Sequence, residues 1–228
     1  MPYRENYMDD PDKVRNWQLE LKNLVRHSDL EAGDLRSSAL MVIDIQKFFI
    51  EESSHACLPS AKMIIPNLNR LITAYTTRSL PVIFTRYAVA EGEDQGVMAR
   101  WWRDIIKEGT DPAELYPELV VPENSPVIRK PTYDSFHNTD LKKILAEKNI
   151  STVVITGVMT HLCCETTARA AFVNGFYVYF VIDGNATMNE ELHMASLKTL
   201  SDGFAVPCTT SELLEALNKS FEQGGDGA

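Results

Sequence analysis

The amino-acid sequence predicts an α/β fold built on a parallel sheet, and two observations carry that prediction. The apolar residues come in short continuous runs, which is typical of strands that are buried on both faces of a parallel sheet. Segments with helical spacing separate these runs, so strand and helix alternate along the chain. The length of 228 residues fits one large domain with an extension.

Six runs are candidate strands, and the last of them is the weakest. They are "ALMVIDIQ" from Ala39, "PVIFTRY" at 81–87, "SPVIRK" at 125–130, "STVVITGV" at 151–158, "FYVYFVIDG" at 176–184 and "GFAVPC" at 203–208. Helices are predicted over residues 60–78, 139–148, 162–174, 189–201 and 210–219. The segment 91–124 is less regular, and we expect it to cover one end of the sheet.

An N-terminal helical extension is predicted over residues 1–36, before the first strand. Its stretch "PDKVRNWQLELKNLVRH" at 11–27 places apolar residues at helical spacing, Trp17 and Leu21 among them. We expect this helix to dock on the body of the protein or on another subunit. Residues 37–220 then form the main domain, and residues 221–228 are expected to be a flexible tail.

The composition of the chain indicates which classes of binding partner and which cellular location to expect. The net charge of -10 gives an acidic surface that repels phosphate backbones, so we expect no nucleic-acid partner. No apolar run is long enough for a membrane span, and the polar N-terminus lacks the apolar core of a secretory signal. The four cysteines show neither C-x-x-C nor zinc-like spacing. We therefore expect reduced thiols and a cytoplasmic location.

Polar side chains follow several of the predicted strands. Ligands of open α/β sheets bind outside the carboxyl ends of the strands. Asp44 ends the first strand, Arg86 and Tyr87 the second and Lys130 the third, while Cys163 follows the fourth. The sequence therefore predicts an acid, a base and a thiol at one edge of the sheet.

These three groups predict nucleophilic acyl transfer. A thiol attacks as a thiolate, which a helix N-terminus and the Lys130 ammonium would both favour. Asp44 could take the thiol proton as a general base and return it to a leaving amine. Backbone N–H groups at the helix start could stabilise the oxyanion.

Three stretches resemble the isochorismatase-like cysteine hydrolase superfamily in their content, order and spacing. They are "LMVIDIQKFF" at 40–49, "VIRKPTYDSFHNTDL" at 127–141 and "VVITGVMTHLCCETTARAAFVNGF" at 153–176. The resemblance covers residues 37–218 and implies a three-layer α-β-α fold with a parallel six-stranded sheet. It also implies a cofactor-free hydrolase of a small molecule, and a homo-oligomer, either a dimer or a tetramer.

The resemblance assigns roles to individual residues. The catalytic triad falls on Asp44, Lys130 and Cys163, and the backbone N–H groups of Met159 and Cys163 would form the oxyanion hole. A cis peptide bond is implied between Val158 and Met159. The pattern T-G-V-x-T-x-x-C selects Cys163 rather than its neighbour Cys164, which we expect to pack in the core because the two side chains cannot both face the site.

The branches of the superfamily predict different substrates. True isochorismatases have glycine in the place of Cys163 and T-x-Q-P where this chain has "FTRY". Both departures favour a hydrolase of amide, carbamoyl or ureide C–N bonds, in the branch that resembles N-carbamoylsarcosine amidase. "THLCC" and "YDSFH" resemble the isochorismatases instead, so a vinyl-ether hydrolase that uses Asp44 as its acid stays an alternative. A non-catalytic binding protein is a weaker one, since stability alone does not require the whole triad.

The residues after the strands bear on whether a metal is bound and on which side chains contact the substrate. Nicotinamidases carry metal-binding histidines after the second strand, whereas "TRYAVAEGEDQGV" has none, so we expect no catalytic metal. The candidate substrate-binding residues are Arg86, Tyr87, Trp101, Trp102 and His161. Arg86 is as readily explained by a surface ion pair, and the two tryptophans by a subunit interface. The substrate itself depends on the loops at 45–60 and 86–124.

Overall fold

A computed structural model describes residues 4–25 and 33–222 and contains one parallel sheet of six strands in the order β3-β2-β1-β4-β5-β6. All five neighbouring pairs run parallel. The strands are β1 (Ser38–Ile43), β2 (Val82–Tyr87), β3 (Val127–Lys130), β4 (Thr152–Val158), β5 (Tyr177–Ala186) and β6 (Ala205–Cys208). The predicted α/β fold with a parallel six-stranded sheet is confirmed.

Helices connect the strands and flank the sheet. They are α1 (Pro11–Lys22), α2 (Lys47–Ile50), α3 (Pro59–Met63), α4 (Ile65–Thr77), α5 (Gly96–Trp102), α6 (Leu141–Glu147), α7 (Glu165–Val173), α8 (Glu190–Gly203) and α9 (Thr210–Glu222). The single helix predicted over 60–78 is divided at Ile64, because Pro66 has no N–H to continue the hydrogen-bond ladder. Within the described ranges, no helix is long and apolar enough to cross a membrane.

Two apolar cores cover the two faces of the sheet and produce the three layers. On one face Leu40 and Val42 of β1 pack with α4 and α9, represented by Leu68 and Leu213. On the other face Met41 and Ile43 pack with α1, α6, α7 and α8. Side chains that alternate along one strand thus enter opposite cores, and both cores are apolar. This two-sided burial explains the continuous apolar runs of the sequence.

The N-terminal helix docks on the body of its own chain. Trp17 and Leu21 of α1 are buried in the core beside α8, and Trp17 Nε1 donates a hydrogen bond to Glu190 Oε1 at 2.9 Å. The helix ends at Lys22, and part of the predicted extension lies outside the described residues. At the other terminus α9 includes Phe221 and Glu222, and the rest of the predicted tail is likewise outside them.

The sheet order places a crevice between β1 and β4. These central strands are neighbours, and the chain continues from them toward opposite edges of the sheet, which is the point where α/β proteins bind ligands. Gly157 of β4 lies against Ile43 of β1, and a Cβ on that glycine would come 2.1 Å from the Ile43 carbonyl oxygen. Glycine therefore permits the close approach of the two strands beside the crevice.

Candidate active site

Asp44 and Lys130 form a buried ion pair at the carboxyl ends of the strands. Asp44 follows β1 directly, and its Oδ1 accepts a hydrogen bond from Thr85 Oγ1 at 2.8 Å. Lys130 is the last residue of β3, and its Nζ lies 2.7 Å from Asp44 Oδ2. Both side chains are fully buried. Burial lowers the pKa of Lys130, but the Asp44 carboxylate and Cys163 raise it by more, which keeps the ammonium charged.

Cys163 lies in a π-helical turn, Thr160–Cys164, between β4 and α7. Its thiol interacts electrostatically with both Asp44 and Lys130. The side chain is 7% exposed, so it meets the pocket while most of its surface is covered. The crevice therefore brings the three predicted residues together from β1, β3 and the turn after β4.

Burial opposes the thiolate form of Cys163 in the resting site. The pKa of this thiol is raised to about 12, because burial and the Asp44 carboxylate together outweigh the lowering by Lys130. The sequence shows the influence of Lys130 on the thiol but does not show how deeply the thiol is buried. A neutral thiol has to lose its proton as it attacks, and Asp44 is the carboxylate beside it.

A pocket of about 300 Å³ opens onto Cys163. The volume matches a small organic molecule. Most of its wall is apolar or aromatic, and its basic and carboxylate side chains are those of Arg4, His55 and Asp104. The lining residues are Arg4, Phe48, Phe49, His55, Ala56, Leu58, Tyr87, Met98, Trp102, Asp104, Ile105, Ile106, Tyr133, Met159, Leu162, Cys163 and Met188. The thiol at its base makes this pocket the candidate active site.

Comparison with known proteins agrees with the fold. Residues 38–212 match the family model described as the isochorismatase domain. The chain belongs to the isochorismatase family. It is 38% identical to Nicotinamidase 3 of Arabidopsis thaliana over 183 residues, which are 79% of this chain and 88% of that protein. The chain is therefore a hydrolase of this family.

Two solved structures of the family resemble this chain closely in fold. A cysteine hydrolase from Pseudomonas syringae superposes with a TM-score of 0.79 at 26% identity, over 86% of this chain and 98% of that one. N-carbamoylsarcosine amidase from Thermoplasma acidophilum gives a TM-score of 0.67 at 25% identity, over 76% and 96%. The resemblance to the isochorismatase-like cysteine hydrolase superfamily is thereby confirmed.

The turn at 159–164 has the cis peptide bond that the family resemblance implied. The Val158–Met159 peptide bond is cis, and Met159 lines the pocket beside Cys163. Cys164 is fully buried in the core that also holds Ala168 of α7, away from the pocket wall. The structure thus separates the two adjacent cysteines into one at the pocket and one in the core.

The predicted substrate contacts divide into two groups. Tyr87 and Trp102 line the pocket, and Trp102 Nε1 donates to the Tyr133 hydroxyl at 2.6 Å. Trp101 is 75% exposed and is absent from the pocket wall, because it lies on the outer side of the short helix α5. The structure therefore places Trp102, and not Trp101, where a substrate would bind.

Arg86 and His161 are also directed away from the pocket. Arg86 pairs with Glu108 at 3.4 Å and with Glu114 at 3.5 Å, which is the surface ion-pair alternative. His161 Nδ1 lies 2.7 Å from Thr187 Oγ1, and burial lowers the pKa of this histidine. His161 is held by Thr187 and does not line the pocket, so it is not placed as a substrate contact.

Several residues that line the pocket were not predicted from the sequence. Phe48, Phe49 and His55 come from the segment 45–60, on which the substrate is expected to depend. The two phenylalanines end the quoted stretch 40–49, but nothing in the sequence assigns any of the three to the pocket. Tyr133 lies inside the quoted stretch 127–141, three residues after Lys130, and this proximity is a usable signal. Arg4 gives no such signal, because its place in the wall depends on how the N-terminal extension packs.

Proposed function

We propose that this protein is a cofactor-free cysteine hydrolase that cleaves the C–N bond of a small amide, carbamoyl compound or ureide through a thioester. The observation that carries the proposal is the buried Asp44–Lys130 ion pair, which interacts electrostatically with the Cys163 thiol in the pocket wall. A nucleophile, a proton acceptor and a fixed cation are the groups that acyl transfer requires. The amidase names of two relatives support the same class of bond.

In the first half of the proposed reaction Cys163 forms the thioester. The thiol proton moves to Asp44 as Sγ attacks the carbonyl carbon, which compensates for the raised pKa of the thiol. Lys130 holds Asp44 in place and offsets the negative charge that develops. The N–H groups of Met159 and Cys163 stabilise the oxyanion. Collapse of the tetrahedral intermediate breaks the C–N bond, and Asp44 returns the proton to the departing nitrogen.

In the second half water cleaves the thioester. Asp44 accepts a proton from the attacking water, whose oxygen bonds to the acyl carbon. The C–S bond then breaks, and the proton returns to Cys163. The acid or carbamic acid leaves, and the free thiol is restored.

The first test is ammonia or amine release from a panel of nicotinamide, small amides, carbamoyl amino acids and ureides. The variants are Cys163→Ala and, as a matched control, Cys164→Ala at the adjacent buried position. We expect turnover to vanish in Cys163→Ala and to persist in Cys164→Ala if that variant folds. Mass spectrometry of a quenched reaction should show the acyl adduct on Cys163.

The vinyl-ether alternative makes the opposite prediction. There Asp44 protonates the substrate and Cys163 is a bystander, so cleavage of isochorismate would survive Cys163→Ala. A panel hit whose turnover survives this substitution would overturn the thioester mechanism. Cleavage of isochorismate alone, with every amide untouched, would overturn the assignment of the bond.

A further inference from the structure

The N-terminal extension supplies a cation to the wall of the active-site pocket. Arg4 lines this pocket together with Cys163, although it lies 34 positions before the first residue of the matched family domain, residue 38. Its backbone neighbours fix it there. Glu5 N donates to the Met188 carbonyl at 3.0 Å, and Ser60 Oγ donates to the Glu5 carbonyl at 3.0 Å. Both anchoring residues lie beside the pocket, so Arg4 is held at its wall.

Tyr7 strengthens this attachment. It is buried, its N–H donates to Ser60 Oγ at 3.0 Å, and its hydroxyl accepts from Thr187 N at 2.8 Å. Thr187 precedes the pocket residue Met188. The segment that carries Arg4 is therefore joined to both α3 and the end of β5 by hydrogen bonds, which positions a side chain well enough for specific recognition.

The guanidinium of Arg4 has a donor edge without hydrogen-bond partners among the described residues. Nη1 donates to the carbonyl oxygens of His55 and Cys57, the latter at 3.2 Å. Nε is buried without a hydrogen-bond partner, and Nη2 makes no hydrogen bond to any residue in the described ranges. Nε–H and Nη2–H form the side-on fork that binds the two oxygens of a carboxylate. The edge that lacks a partner is thus the edge suited to a planar anion.

Other charged groups in the pocket wall or beside it already have partners. The carboxylate of Asp104 lies 2.6 Å from His55 Nε2, and Lys130 is paired with Asp44. Among the residues that the structure describes, Arg4 pairs with no carboxylate. The remaining wall is mainly apolar or aromatic, as Phe49 and Trp102 show.

We propose that Arg4 binds a carboxylate of the substrate, so that the preferred substrates are amides, carbamoyl compounds or ureides that combine a carboxylate with an apolar body. This inference rests on the proposed function for its reaction. Recognition of the anion is a separate property of the pocket. Arg4 acts here as a substrate-binding residue and takes no part in bond cleavage.

The first experiment measures anion recognition without any hydrolysis. Cys163 is alkylated with two matched pairs of reagents, iodoacetate with iodoacetamide and 3-maleimidopropionate with N-ethylmaleimide, and peptide mapping follows the modified residue. In each pair one reagent has a carboxylate and the other is neutral. Arg4→Gln removes the charge, while Arg4→Lys keeps it without the fork.

Loss of a charge-assisted bidentate contact should weaken binding of the anion roughly 10- to 100-fold. We expect Arg4→Gln to lower the rate of the anionic reagent by roughly tenfold or more in at least one pair, with the neutral rate within twofold. The rate of the anionic reagent with Arg4→Lys should lie between the rates with the wild type and with Arg4→Gln. A ratio within twofold of the wild-type ratio in both pairs overturns the proposal. So does an equal loss for both members of each pair, since that indicates a structural role.

The second experiment uses a substrate from the hydrolysis panel and its carboxamide or methyl ester at the carboxylate. Arg4→Gln should raise KM for the carboxylate form by roughly 10- to 100-fold with kcat changed little, and leave the neutral form unaffected. If no compound is hydrolysed, the proposed function fails while the alkylation ratios still decide the role of Arg4. If hydrolysis is found and the KM of Arg4→Gln is unchanged for the carboxylate form, the role of Arg4 fails alone.

Discussion

Two sets of charged side chains lie one residue apart on the same pair of strands, and they differ in burial. Tyr87 pairs in register with Lys130, and Arg86 with Arg129. Lys130 is fully buried against Asp44, whereas the side chains of Arg86 and Arg129 are 25% and 29% exposed. We call the exposed set the surface network. Its acids are Glu93, Glu108 and Glu114.

The difference shows how one step along a strand changes what a cation can do. Neighbouring side chains of a strand point to opposite faces, so Lys130 enters the crevice while Arg129 reaches the surface. Water and salt screen the surface network, and each exposed pair contributes about 0–1 kcal/mol. In the buried pair the same charges interact strongly but have lost their hydration. The buried pair is suited to chemistry, and the surface network to holding the loop after β2 in place.

Among substitutions that compare the buried pair with the surface network, Asp44→Asn is expected to have the largest effect. Loss of the general base should reduce hydrolysis by about 10²- to 10⁴-fold, measured as kcat on a substrate from the panel. Alkylation of Cys163 by iodoacetamide should become faster, because Asp44 raises the pKa of the thiol and Lys130 then lowers it unopposed.

The matched control is Glu93→Gln in the surface network, which should leave both rates within twofold. A slower alkylation in Asp44→Asn would contradict the assigned electrostatics. Retention of hydrolysis in that variant would remove Asp44 from the mechanism.

A second contrast concerns stability. Lys130→Met leaves the Asp44 carboxylate buried without its cation and should lower the free energy of unfolding by about 3–5 kcal/mol. Arg129→Met in the surface network should lower it by about 0–1 kcal/mol. Urea unfolding followed by circular dichroism measures both.

The double variant Asp44→Asn/Lys130→Met shows why Lys130→Met is destabilised. It removes both charges, so it should be more stable than Lys130→Met alone. Equal stability of the two would show that lost packing, and not an unpaired carboxylate, destabilises the single variant.

The pH dependence of thiol reactivity sharpens the comparison further. Because the pKa of Cys163 is raised to about 12, the thiolate fraction should increase about tenfold for each pH unit between pH 7 and 10. The rate of Cys163 alkylation by iodoacetamide should follow that slope without a plateau. A plateau below pH 9 would show that Lys130 outweighs burial, as the sequence alone had indicated.

The buried pair and the pocket also show which features of the protein can be predicted from its sequence. Apolar runs located the six strands, and the sheet-edge rule brought Asp44, Lys130 and Cys163 to one place, because both depend on local pattern and general topology. The raised pKa of the thiol could not be read from the sequence, because burial comes from the whole fold. Arg4 was missed because it reaches the pocket through contacts with residues more than 50 positions away.

For Arg86 the structure favours the surface ion pair over a substrate contact, and this residue gives the smallest expected effect. Its strand neighbour Tyr87 lines the pocket, so alternation along the strand already directs Arg86 to the other side. Arg86→Gln should therefore change kcat and KM by less than twofold, and the free energy of unfolding by about 1 kcal/mol or less. Because salt screens exposed charges, even this difference in stability should shrink at 1 M salt, as urea unfolding at two salt concentrations would show. A large rise in KM would instead place Arg86 in contact with the substrate and would erase the distinction between the surface network and the buried pair.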